Sequence, residues 1–222
     1  MQLAYMQEYK SGEVFVGRGQ HLLKQNTTTD HLYTVLGGVM LRYRTLDDGR
    51  RQIVNFLFPG DLIGLQSAFD DEVCHSVEAL VDSRLCRFEK QDFHDLIVKH
   101  PSLGFDITWL AAKEETALES HLVSLGQRSA KERVTYLAVW LLNRASATGM
   151  LEDDNRLTLP IKQAQIADML GLSLVHTNRT LKALSREGLV DWKPGRIRIA
   201  DIDKAAKYAE VPRYSKNDRP FI

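Results

Sequence analysis

The clearest chemistry in this 222-residue chain is carried by Val175, Asn178, Arg179, Lys182 and Arg186. They follow one another at steps of 3, 1, 3 and 4, so on an α-helix they share one face. No carboxylate interrupts the stretch before Glu187. Amide and guanidinium donors in that arrangement suit the base edges and phosphates of a DNA major groove. Thr177, Leu181, Leu184 and Gly188 are read as the inward face of the same helix.

Such a face needs elements that hold it. Upstream, Ile166 and Leu170 are spaced i, i+4 on a first helix, and Ala167 is small where a second helix must cross. Gly171 suits a left-handed turn, and Ser173 suits the cap of the next helix. The pattern predicts a helix-turn-helix whose second helix reads DNA. Lys162, Gln163, Ser173 and His176 complete the expected contacts of the two helices. Gly188 to Trp192 and Ile197 to Ile199 flank Pro194-Gly195, which predicts a hairpin carrying Lys193, Arg196 and Arg198. A basic hairpin directly after a helix-turn-helix is a wing, and the module is a winged helix.

Charge is divided along the chain. The 29 basic and 29 acidic residues balance, but residues 1–125 carry net −6 and residues 126–222 carry net +6. The basic half suits a phosphate partner. No apolar stretch approaches the ~20 residues of a membrane span, and MQLAYMQEYK has no signal-peptide pattern. With only Cys74 and Cys86, the expectation is a reduced, cytoplasmic protein without membrane contact.

The first hundred residues read as short strands between glycine turns. His31 to Leu36, Val39 to Arg44, Arg50 to Phe58, Val73 to Val81 and Arg84 to Phe88 are expected strands, and Lys90 to Val98 a short helix. In the second of these, Val39, Leu41 and Tyr43 are expected inside, with Met40, Arg42 and Arg44 outside. From Ser102 to Leu125 the period becomes helical. Ile107, Ala111, Glu114, Leu118, His121 and Leu125 form a heptad seam, widened by Leu103, Leu110, Ala117 and Leu122, that predicts a homodimer. Gly126 to Ser129 is the expected helix break and hinge. Ala130 to Ala145 is a further helix with Val134, Leu137, Ala138, Leu141 and Leu142 inside.

The order β-roll, long helix, hinge and winged helix, together with GDLIG after a hairpin, AKERV at the hinge and DMLGLSLVHTNRTL in the reader, resembles the CRP/FNR family of bacterial transcription regulators. The resemblance runs from about Lys10 to Ala209. It implies an α+β architecture: a β-roll or jelly roll like the cyclic-nucleotide-binding domain over 1–101, a dimerisation helix and hinge over 102–126, and a winged helix-turn-helix over 127–210. Residues 211–222 form a tail. It implies a homodimer on a palindromic operator in double-stranded DNA, contact with RNA polymerase, and a ligand pocket around Gly60, Asp61, Leu62, His75 and Ser76. Members that bind cyclic AMP carry an Arg-Ser pair where this chain has His75-Ser76, and a hydroxyl where it has Leu118. Histidine lacks the bidentate fork and the constant charge of arginine, so cyclic AMP is not the expected effector. Members with an iron–sulfur cluster use four cysteines, and this chain has two. The sequence therefore assigns no cofactor and no metal site.

Two other classes fit the sequence less well. A jelly-roll metal enzyme needs a His-x-His pair, which does not occur, and there is no phosphate loop or nucleophile elbow. A regulatory subunit that only binds a cyclic nucleotide or other small ligand would not need the winged helix. The expectation is a regulator and not an enzyme.

Overall fold

The computed structural model describes residue 7, residues 9–69 and residues 72–211. Apart from Val211, the tail expected over 211–222 lies outside the described residues. The chain divides into two compact units, one ending at Leu118 and the other starting at Glu119.

The first unit holds β1 (Lys10–Val16), β2 (His21–Leu23), β3 (His31–Gly37), β4 (Met40–Thr45), β5 (Arg51–Leu57), β6 (Leu62–Ile63), β7 (Ser76–Ala79) and β8 (Ser83–Glu89). They form two four-stranded antiparallel sheets, ordered β1-β8-β3-β6 and β2-β7-β4-β5. Val35, Leu85, Met40, Leu57 and Val77, drawn from both sheets, form one buried cluster. This is the β-roll, two sheet faces closing on a shared core. Gly49, at φ 84°, closes the β4–β5 hairpin.

The sequence pattern misjudged β4. Met40 and Leu41 are both fully buried, so the strand starts with both faces covered. Alternation reports burial only where one face of a sheet meets water. β1, β2 and β6 were not anticipated. The last two have three and two residues, too few to show a period.

After a 3-10 turn at Lys90–Asp92 come α1 (Phe93–Lys99) and α2 (Pro101–Gln127). Pro101 opens α2, where its missing N–H costs nothing. The helix runs through Gly126 and ends at Gln127, within the break expected over Gly126 to Ser129. A glycine inside a helix costs only ~1 kcal/mol and does not end it. The stop comes at Ser129, which caps α3 (Ala130–Ala147): its hydroxyl accepts from Glu132 N, and its own N–H donates to the Glu132 carboxylate at 2.7 Å.

In the second unit α3 is buried on nearly every side. Val134, Leu137, Ala138, Leu141 and Leu142 are inside, and so are Tyr136, Val139 and Trp140. β9 (Arg156–Thr158), α4 (Gln163–Leu170), α5 (Leu174–Arg186), β10 (Asp191–Lys193), β11 (Arg196–Arg198) and α6 (Ile202–Tyr208) follow. The three strands form an antiparallel sheet ordered β10-β11-β9. α6, capped by the Asp201 carboxylate, was not anticipated. Among the described residues, no helix is long and apolar enough to cross a membrane.

Candidate nucleic-acid interface

α4 and α5 are joined by a turn built from three local interactions. Gly171 adopts φ 61°, ψ 37°, a left-handed backbone open to glycine at little cost. Leu172 N–H reaches back to the Ala167 carbonyl at 3.1 Å. The Ser173 hydroxyl then accepts from His176 N at 3.2 Å, capping α5. At the start of α4, Lys162 N–H donates to the Gln165 side chain at 2.8 Å.

Thr177, Thr180, Leu181 and Leu184 form the buried stripe of α5. Gly188 does not belong to it. It is exposed at φ 67°, and turns the chain out of α5 toward β10. The opposite face presents Val175, 66 % exposed, with His176, Arg179, Lys182 and Arg186 also in solvent. Leu174, 54 % exposed, lies at the edge of this face, one turn before Asn178. Asn178 is half-buried, and its amide donates to the Gln163 side chain at 3.0 Å. Two expected DNA contacts thus hold each other across the helix pair. Arg186 donates to the Lys182 carbonyl at 3.2 Å, and Ser173 is spent on its cap. Lys162 lies exposed at the N-cap of α4.

The wing is less cationic than its sequence. Lys193 and Arg196 both lie near the Asp191 carboxylate, at 3.2 and 3.7 Å. Arg198 donates to Asp154 at 2.7 Å, which holds that carboxyl below its usual range. Asp154 sits in the preceding loop at φ 60°, a placement that the linear sequence did not reveal.

The expected dimer seam needs correction. Ile107 is buried in a cluster with Leu96 and Leu103, and Leu110 is buried too. Glu114 bonds Arg42 and Asn55. His121 is buried, with Nδ1 2.8 Å from the Tyr136 hydroxyl and its ring edge-on to Trp140. Leu118 and Leu125 are half-buried, while Ala111 and Leu122 are exposed. The open apolar positions of α2 include Phe105, Ala111, Ala112, Leu122 and Val123. A helix satisfies its own unit first, and a heptad count does not say which stripe is left over.

The expected ligand residues do not converge. Gly60, at φ 86°, and Asp61 form a turn in which the Asp61 carboxylate accepts from Phe58 N at 2.7 Å. Leu62 lines a small apolar cavity of about 30 Å³ with Tyr9, Leu65 and Phe93. The Ser76 hydroxyl accepts from Gln25 N at 3.0 Å. His75 is buried, and burial, then Arg42 and Arg44, push its pKa down to about 4. It is neutral at pH 7. Cys74 is exposed and Cys86 buried, and both are free thiols. Among the described residues, no group of three His, Cys, Asp or Glu is placed to hold a metal ion.

A β-roll followed by a winged helix with a capped, solvent-facing reader defines a DNA-binding regulator. Comparison with known proteins agrees. Residues 13–100 match the cyclic nucleotide-binding domain, and residues 136–207 match the Crp-like helix-turn-helix domain. The nitrogen fixation regulation protein FixK of Bradyrhizobium diazoefficiens is 33% identical over 195 residues, covering 87% of this chain and 80% of the relative. The transcriptional activator protein FnrL of Cereibacter sphaeroides is 28% identical over 191 residues, covering 85% and 73%. The solved structure of FixK2 from Bradyrhizobium japonicum superposes with a TM-score of 0.76 at 23% identity, covering 89% of this chain and 96% of that one, and shares the fold. The chain belongs to the CRP/FNR family of transcription regulators. It is a DNA-binding regulator from a family of regulators and not of enzymes.

Proposed function

We propose that this regulator binds a two-fold palindromic operator as a homodimer, with α5 in the major groove of each half-site. The observation that carries this reading is α5 itself. Its buried stripe docks it rigidly, and its outer face presents Val175, His176, Arg179 and Lys182 to solvent without a carboxylate. Half-sites of a symmetric dimer lie about 34 Å apart. The exposed positions of α2 around Ala111, Ala112, Leu122 and Val123 supply the dimer contact. The β-roll over 1–101, the dimer helix and hinge over 102–126 and the reader over 127–210 act as separate parts. The protein works in the cytoplasm, has no catalytic activity of its own and contacts RNA polymerase; it activates transcription, as the printed name of FnrL, a transcriptional activator protein, says of that relative. Cyclic AMP is not its effector, because a neutral His75 stands where a cationic clamp is needed.

Selection of duplexes from a random pool tests the central claim. The expected product is a palindrome bound by two copies of the chain. A non-palindromic site bound by one copy in light scattering would overturn it. Leu122→Glu should convert the free protein to monomer, since it places charge in an apolar contact.

A further inference from the structure

Arg42 sits on β4 with its side chain only 12 % exposed, too enclosed for a guanidinium without a partner. In the sheet it is opposite Val77, next to Ser76, and its charge acts on His75. It is thus the enclosed cation beside the position where the family resemblance places an anionic ligand. Its partner is a side chain of the same protein. Arg42 Nη2 donates to Oε1 of Glu114, from the middle of α2. Asn55, on β5 and 2 % exposed, donates through Nδ2 to both Glu114 oxygens, at 2.9 and 3.0 Å. The register of β4 against β5 shifts just after the Arg42–Asn55 pair. Such a bulge re-aims side chains, and here both donors point at one carboxylate. Arg44 is exposed and His75 is neutral, so neither supplies a second enclosed cation.

We propose that Glu114 is an internal anionic ligand: its carboxylate occupies Arg42 and Asn55 in place of an external anion and holds α2 on the β-roll without an effector. Glu114 and Arg42 are positioning residues, acting on DNA only through α2. The consequence for operator binding rests on the function proposed above. The consequence for anion binding does not.

The test uses the full chain and two readouts, thermal melting and affinity for the selected operator, with sodium acetate compared with sodium chloride at equal concentration. The wild type should bind the operator in chloride alone, and acetate should not raise its melting temperature above that in chloride. Glu114→Ala should melt lower and bind the operator at least about tenfold more weakly, because coordinated charge-assisted bonds are lost. Acetate should restore much of both, as a free carboxylate enters the vacated site. Arg42→Ala should show the losses without the acetate recovery. If Glu114→Ala does not fold, Glu114→Gln keeps the shape and removes the charge, and it should still bind more weakly than wild type. A Glu114→Ala protein equal to wild type, a loss that acetate does not recover, or an unimpaired Glu114→Gln would each overturn the proposal. If the wild type binds no duplex, the DNA reading fails, and acetate-dependent melting still decides whether Glu114 is a ligand.

Discussion

The two units dispose of their polar groups in opposite ways. In the reader, α5 turns His176, Arg179 and Lys182 outward and spends only apolar groups and threonines on packing. In the β-roll, polar groups turn inward and satisfy one another: Arg42 with Glu114, Asp61 with Phe58 N, Ser76 with Gln25 N. A donor that faces water loses little by exchanging water for a base edge, so the reader is built for an outside partner. A donor already paired inside must break a bond first, and leaving its partner unsatisfied is costly. The first unit matches the cyclic nucleotide-binding domain, and these enclosed donors and acceptors already hold one another.

The contrast between inward and outward residues breaks most visibly on α5. Leu184→Ala should destabilise the second unit by about 2–5 kcal/mol, as expected for a leucine with no exposed surface. Val175→Ala, nine residues away on the outer face, should stay within about 0.5 kcal/mol of wild type. Denaturant titration would refute the assignment of faces if the two costs were similar.

The next effect concerns the β-roll interior. His75 has a folded pKa of about 4 against 6.5 for the ordinary group. Below pH 6.5 the unfolded chain takes up this proton before the folded one does, so acid favours unfolding. The stability contribution is intact above about pH 6.5 and is lost progressively as pH falls toward 4. At 1.36 kcal/mol per unit the loss is roughly 3 kcal/mol. His75→Gln should flatten the dependence of melting temperature on pH across that window. An equally steep slope in the variant would place the titrating group elsewhere.

How much was legible in the sequence follows the same division. The reader was legible because its signals are local: a cap at Ser173, a turn at Gly171 and a stripe at Thr177, Leu181 and Leu184 lie within one short segment. The β-roll was recognised as a class, yet its polar pairings were not, because Arg42 and Glu114 are 72 residues apart. Ile107 and Glu114 looked like seam positions for a second copy, and both are consumed by their own unit. Helical period reports that a face is apolar, not what covers it. Asp154 beside Arg198 was hidden for the same reason, since the two are 44 positions apart in the chain.

On the outer face of α5, Arg179 should carry the largest share of base discrimination. It is exposed in the N-terminal half of the helix, one turn beyond Val175 on the same outer face. Arg179→Ala should lose about 1–3 kcal/mol against the selected operator, the worth of a bidentate guanine contact, with much less change on unrelated duplex. Val175→Glu should move the preferred half-site toward cytosine at one position, since a carboxylate accepts from its amino group. Recovery of one unchanged half-site from both Val175 proteins would mean that α5 lies in the groove in another register.

The smallest effect separates cations that are free from cations already paired. Each phosphate contact contributes about 0.9 to the slope of log affinity against log salt. By sequence the wing offers Lys193, Arg196 and Arg198. By structure, Lys193 and Arg196 share Asp191, and Arg198 is held by Asp154. Three cations against two carboxylates leave a net charge of one, so the wing should contribute about one phosphate's worth of slope. Arg198→Ala should therefore change the slope by much less than 0.9, because the bond to Asp154 must break before the guanidinium can reach a phosphate. Asp154→Asn removes that competitor and should steepen the slope by up to about 0.9. Fluorescence anisotropy on non-specific duplex across a salt series measures both. If Arg198→Ala alone removed about 0.9, the ion pair would open fully on DNA, and the wing would be an outward-facing surface like α5.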